Sequence, residues 1–140
     1  MKPTMNTAVN TSTQSDTALI LLGHGSRDPL WRGPIEALAA RISLAAPDMA
    51  VCCAYLEWVT PDVVEAVQGL VAQGHTHIRL LPLFFGMGKH AREDLPALVQ
   101  HLREQHPQLQ LRVLASAGEQ GAVLDLLARL ALTSDPSPIS

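Results

Sequence analysis

Four short apolar runs punctuate the chain, and between them apolar residues recur every three to four positions. Thr17-Ala-Leu-Ile-Leu-Leu22 is continuous and apolar and runs into Gly23, the pattern of a strand buried on both faces. Ala50-Val-Cys-Cys-Ala-Tyr55 is a second such run, and Ile78-Arg-Leu-Leu-Pro-Leu-Phe84 a third, with Pro82 near its end. Leu109-Gln-Leu-Arg-Val-Leu114 alternates, which predicts an edge strand with one wetter face. Ile35, Leu38, Ala39 and Ile42 share one face of a first helix. Thr60-Pro61 predicts the start of a second, with Thr60 as N-cap and Pro61 at the first helical position. Val63, Val67, Leu70 and Val71 form its apolar stripe, and Gly74 closes it. Leu95, Leu98, Val99 and Leu102 mark a third helix, and Val123, Leu126, Leu127 and Leu130 a fourth.

Strands alternating with helices imply an α/β fold: a four-stranded parallel sheet with helices on both faces. A flavodoxin-like strand order, 2-1-3-4, suits four strands. At 140 residues the chain is one domain by size. The expected boundaries are an N-terminal tail over 1–16, the folded domain over 17–132 and a C-terminal tail over 133–140, because both ends are polar or proline-bearing.

Composition narrows the function classes. The formal net charge is -3, which argues against a general nucleic-acid surface. The first residues carry no apolar core of a secretory signal, and no run is long enough to span a membrane. Cys52 and Cys53 are adjacent in an extended segment, so their side chains point to opposite faces and do not bridge. They read as small core residues, and a chain without a disulfide framework suits the cytoplasm.

Ligands of an open parallel sheet bind at the carboxyl ends of the strands, where the strand order reverses. With order 2-1-3-4 that point lies between the first and third strands. Their following loops, Gly23–Gly33 and Phe85–Arg92, each contain a histidine: His24 and His90. Neighbouring strands are about 4.8 Å apart, so both imidazoles can face one cleft. Neutral imidazole ligates divalent Co, Fe, Ni and Zn, and takes protons near neutral pH. Glu57 follows the second strand at the same edge. It is either a third member of that site or a solvated helix-entry residue. Glycines in Gly23-His-Gly25 and Gly86-Met-Gly88 allow close approach of a ligand to backbone. The first loop lacks the P-loop pattern, which argues against a nucleotide-phosphate cradle. Arg27, Arg32, Lys89 and Arg92, four of the ten basic residues, gather around this edge and would suit an acidic ligand. Asp94 suits the helix N-terminus, with orientation of His90 as the alternative. His75 and His77 fall at the opposite edge, away from the main site, and His101 and His106 near the end of the third helix.

Three blocks, Leu21-Leu-Gly-His24-Gly-Ser-Arg-Asp-Pro29, Tyr55-Leu-Glu57 and Leu81-Pro-Leu-Phe-Phe-Gly-Met-Gly-Lys-His90-Ala-Arg-Glu-Asp94-Leu-Pro96, together resemble the small single-domain sirohydrochlorin chelatases, class II chelatases of cobalamin and siroheme synthesis. The resemblance runs from about Thr17 to Leu130. It implies a chelatase-like half-domain that inserts a divalent metal, Co²⁺ or Fe²⁺, into sirohydrochlorin without ATP or an organic cofactor. It implies His24 and His90 as the metal-binding and proton-removing residues, with Glu57 assisting. Ser26, Arg27, Gly88, Lys89 and Arg92 then become candidates for holding the acidic tetrapyrrole. The resemblance also implies a homodimer. Three rivals stand beside this reading. One is a histidine phosphatase, which would need Arg directly before the histidine where this chain has Gly23. Another is a metal or tetrapyrrole carrier without turnover. The last is a chelatase acting on a related tetrapyrrole with Ni²⁺.

Overall fold

A computed structural model describes residues 16–133. Eight principal elements alternate along the chain: β1 (Thr17–Gly23), α1 (Gly33–Ala45), β2 (Ala50–Tyr55), α2 (Val63–Ala72), β3 (His77–Pro82), α3 (Lys89–Gln105), β4 (Gln110–Val113) and α4 (Gly121–Thr133). Short 3₁₀ turns at Pro29–Arg32 and Ala117–Glu119 precede α1 and α4. The sheet order is β2-β1-β3-β4 and every pairing is parallel, as the pattern predicts. The expected tails lie outside the described residues except at Asp16 and Thr133. The Asp16 carbonyl accepts the N–H groups of Thr76 and His77 at 3.1 and 3.3 Å, and Thr133 ends α4.

β1 lies in the middle of the sheet, which is why its whole run is apolar. Ala18, Ile20 and Leu22 point to one face and pack with Val63, Val67 and Leu70 of α2 and Leu95, Val99 and Leu102 of α3. Leu19 and Leu21 point to the other and pack with Ile35, Leu38, Ala39 and Ile42 of α1. Helices therefore cover both faces. In β2, an edge strand, Cys52 joins the α2/α3 side and Cys53 the α1 side. Both are free and half-buried. β4, the other edge, buries Leu111 and exposes its neighbours.

One expectation is corrected. The N-cap of α2 is Asp62, not Thr60. The Asp62 carboxylate accepts the Glu65 N–H at 2.8 Å, and the Glu65 carboxylate accepts the Asp62 N–H at 2.9 Å, a complete capping box. Pro61 is still in the loop, where its carbonyl accepts the Tyr55 N–H at 3.0 Å; the Thr60–Pro61 peptide is cis. The loop is thus tied to the end of β2, and the first free cap comes one residue after the proline. Gly74 does close the segment, with φ +97 and its N–H on the Val71 carbonyl.

The fourth helix forms where the spacing places it, as α4. Its apolar stripe exists, but none of its residues is buried. Leu124, Leu126, Leu127 and Leu130 are all more than two-fifths exposed. A physical reason is visible on the sheet. The face left over β3 and β4 carries Arg79 and Arg112, directly opposite each other in register and both exposed. A leucine-rich helix laid there would have to desolvate two neighbouring guanidinium groups.

Candidate active site at the carboxyl edge of the sheet

The reversal in strand order falls between β1 and β3, and the loops leaving those strands form a cleft of about 660 Å³. His24, Leu56, Glu57 and Phe84 line it from the ends of β1, β2 and β3. Gly88, Lys89, His90, Asp94, Leu95 and Leu98 line it from the start and first turns of α3. Both histidines and Glu57 thus open into one space, from three different strand ends.

Each side chain has a local cause for its position. His24 follows the last residue of β1 and is exposed, but its ring rests on Phe84, with centroids 4.2 Å apart and planes tilted by 35°. Phe84 is 2% exposed, so it gives the imidazole a fixed floor. Among the described residues no hydrogen bond engages a ring nitrogen of His24 or His90. His90 is the second residue of α3, whose N-cap, Gly88, supplies no side-chain cap. Glu57 is held by its backbone: its N–H donates to the His24 carbonyl at 3.0 Å, and Leu56 N–H donates to Gly23 at 3.1 Å. These bonds extend the β1–β2 pairing beyond the strands and tie the loop carrying Glu57 to the loop carrying His24.

Gly25 is required by this contact. Its φ is +99, and a Cβ there would stand 1.7 Å from the Glu57 carbonyl oxygen. Gly118 plays the matching part behind β3. Its N–H donates to the Phe84 carbonyl at 2.9 Å, and a Cβ there would stand 1.6 Å from the Phe85 oxygen. Gly25 thus fixes the loop that carries His24, and Gly118 the backbone of the floor beneath it.

The basic residues separate into distinct places. Lys89 lines the cleft. Arg92 instead donates to the Met87 carbonyl at 3.3 Å and lies outside the cleft lining. Ser26, Arg27 and Arg32 line a smaller neighbouring pocket of about 280 Å³ with Trp58. Asp94 caps no N–H and bonds neither nitrogen of His90; it lines the cleft as a second carboxylate beside Glu57. The cleft's acidic side chains are thus two, where the spacing singled out one. Among the described residues no three His, Cys, Asp or Glu side chains converge closely enough to form a ready-made metal cage. The two histidines and Glu57 share a space without forming a closed ligand set. Leu56, Phe84 and Leu98 form the apolar walls. The sequence marks Leu98 only as part of a helix face and Leu56 only as the neighbour of Glu57, because apolar lining residues look the same as core.

Burial pushes the Cys52 and Cys53 thiols above their ordinary value; for Cys53 the nearby Cys52 and Glu36 add to this. Burial likewise raises the Tyr55 hydroxyl, at the end of β2. All three groups stay protonated at neutral pH and add no charge to this edge.

Comparison with known proteins follows the same outline. The family model CbiX matches residues 18–133. A sirohydrochlorin cobaltochelatase of Methanococcoides burtonii is 32% identical over 82 residues, 59% of this chain and 63% of that protein. A sirohydrochlorin ferrochelatase of Priestia megaterium is 28% identical over 114 residues, 79% of this chain and 41% of that protein. The matches therefore span less than two thirds of either relative. The crystal structure of a CbiX protein from Marinobacter aquaeolei VT8 superposes with a TM-score of 0.71 at 29% identity, covering 83% of this chain and 93% of that one. The match begins in the strand that leads into His24 and ends with the last helix, and on that span the chain belongs to the CbiX family.

Proposed function

We propose that this protein inserts a divalent metal ion, Co²⁺ or Fe²⁺, into the metal-free macrocycle of sirohydrochlorin, without ATP. One observation carries the reading: two uncommitted imidazoles and two carboxylates line a single cleft at the switch point of the sheet. The names of the two curated relatives, a cobaltochelatase and a ferrochelatase, supply the substrate class.

The reaction exchanges a hydrated M²⁺ for the pyrrole N–H protons of the macrocycle. His24 and His90 share two tasks in it. One imidazole strips water from the arriving ion as an exchangeable ligand, and the other accepts a departing pyrrole proton as a general base. An open donor set suits cargo that must leave again, whereas a closed four-ligand cage holds a structural metal. Glu57 and Asp94 favour the cation as it enters and relay protons outward. Gly88 lets the macrocycle approach the backbone at the start of α3. Lys89 meets its carboxylates at the cleft, and Ser26, Arg27 and Arg92 at the rim.

Two copies of the chain act together in this reading, in the cytoplasm. The uncovered leucines of α4 support the pairing, since they offer an apolar face that the monomer does not bury. No described helix is long and apolar enough to cross a membrane.

The test is the absorbance change of sirohydrochlorin with Co²⁺, Fe²⁺ and Ni²⁺ in parallel. Purified protein is expected to accelerate insertion of Co²⁺ or Fe²⁺, and His24→Ala and His90→Ala each to lose most of that rate. No acceleration with any of the three metals would overturn the function. Full rates in both variants would overturn the site. Tight binding without turnover would favour a carrier.

A further inference from the structure

We propose that Trp58 is a positioning residue: its ring holds the Arg27 guanidinium over a second pocket, beside the histidine cleft, that receives one carboxylate arm of the macrocycle. The proposal rests on the reading of an acidic tetrapyrrole as substrate.

The residue after Glu57 is the one described non-glycine residue with a positive φ, at 71°. A bulky side chain there is a conformational outlier. The Val59 N–H donates to the Glu57 carbonyl at 2.8 Å across it. An i→i+2 bond about a residue with φ near +75° is the γ-turn of the rare, strained hand. Glycine would make this turn at no steric cost, and this chain instead has its largest side chain there. Trp58 does not repay the strain by joining the core, since it is 58% exposed. Strain held at an exposed residue beside a site points to a task for the side chain.

The task is visible in its neighbour. The Arg27 guanidinium carbon lies 3.8 Å from the Trp58 ring centroid. Stacking uses the flat face of the guanidinium and leaves its N–H edge free for a two-pronged grip on a carboxylate. Among the described residues no carboxylate claims that edge. Asp28, next in sequence, is occupied by the Leu30 N–H at 2.9 Å. Arg27, Arg32, Ser26 and Trp58 line one pocket of about 280 Å³ that has no acidic residue in its wall.

The two spaces divide the work by charge. The cleft holds Glu57, Asp94 and both histidines, a surrounding that favours a cation. The pocket holds two guanidinium groups, which favour an anion. They are served by consecutive residues of one loop, since Glu57 lines one and Trp58 the other. An arm held by Arg27 would therefore fix the ring of the same substrate relative to Glu57 and His24.

The experiment uses the full chain. Trp31→Phe serves as background, so that Trp58 is the only tryptophan. Metal-free sirohydrochlorin is expected to quench Trp58 fluorescence, and Arg27→Ala to weaken that binding about tenfold, as loss of a charged hydrogen-bonding partner does. In the wild-type background, Trp58→Gly removes the ring and relaxes the turn. It is expected to raise Tm while raising KM about fivefold, with kcat within about threefold. Trp58→Phe, which keeps an aromatic face, is expected to restore most of the affinity. Arg27→Ala with Trp58→Gly should be no worse than Arg27→Ala alone. Unchanged KM in Trp58→Gly, losses that add in the double variant, or a fall in kcat alone would each overturn the proposal. Should the wild type insert no metal, an Arg27-dependent quench would still uphold the pocket, and a quench indifferent to Arg27 would overturn it.

Discussion

The backbone N–H of Glu57 donates to the carbonyl of His24 at 3.0 Å, although the two residues are far apart in sequence. This bond joins the loop after the central strand to the loop after the edge strand. It makes the acidic residue and the histidine parts of one rigid edge, whatever their side chains do.

That joint depends on Gly25. Gly25→Ala places a methyl group against the Glu57 carbonyl and forces a residue with a side chain to φ +99. The variant is expected to lose about 2–4 kcal/mol of stability, and more than tenfold in insertion rate if it folds. Gly33→Ala is the control: nothing lies within 4 Å of its Cβ, and its φ is helical. It should hold or gain about 0.5–1 kcal/mol. Urea denaturation of both variants decides the comparison.

Phe84 acts as floor for His24 and as core. Phe84→Leu keeps most of the apolar volume and removes the flat surface under the imidazole. The expected stability loss is about 1 kcal/mol, with a several-fold fall in kcat. Phe84→Ala should cost about 3–5 kcal/mol. A Leu variant with unchanged kcat would show that the ring contact does not place His24.

Cys52 and Cys53 make a pH prediction. Burial raises both thiols in the folded chain. Below the unfolded value of about 8.5 both states are protonated, so stability is independent of these groups there. As pH rises past that value the unfolded chain ionises first, and stability falls until the folded thiols ionise too. The fall above about pH 9 should shrink in Cys53→Ala, measured by urea midpoints from pH 7 to 10. Alkylation of the native protein at pH 7 should be slow.

The leucines of α4 give a prediction about assembly. Leu126 and Leu130 are 47% and 48% exposed, so Leu126→Glu with Leu130→Glu removes little buried area. Monomer stability should change by less than about 0.5 kcal/mol per site. The sedimenting mass should fall to 15.1 kDa from twice that value. A wild type already at 15.1 kDa at micromolar concentration would remove pairing from the functional reading.

Much was legible before any coordinates. The unbroken apolar run of β1 marks a central strand because only a strand covered on both faces has no wet side. Strand alternation with helices implies a parallel sheet, four strands suit the order 2-1-3-4, and that order places the loops of His24 and His90 beside each other. Tertiary structure decided what local pattern cannot carry. Asp62 displaced Thr60 as cap because the Pro61 carbonyl pairs with Tyr55, a contact made across the loop. Asp94, one turn after His90, lines the cleft with it, whereas Arg92 bonds the Met87 carbonyl outside it. The stripe of α4 predicted a helix correctly, but periodicity reports only that a face is apolar; the structure shows that face unburied, with two arginines opposite each other on β3 and β4. The same limit applies to the site. His24 and His90 were visible as residues at two loops, while the contact of His24 with Phe84 and the stacking of Arg27 on Trp58 depend on side chains that meet only when the strand ends are brought side by side.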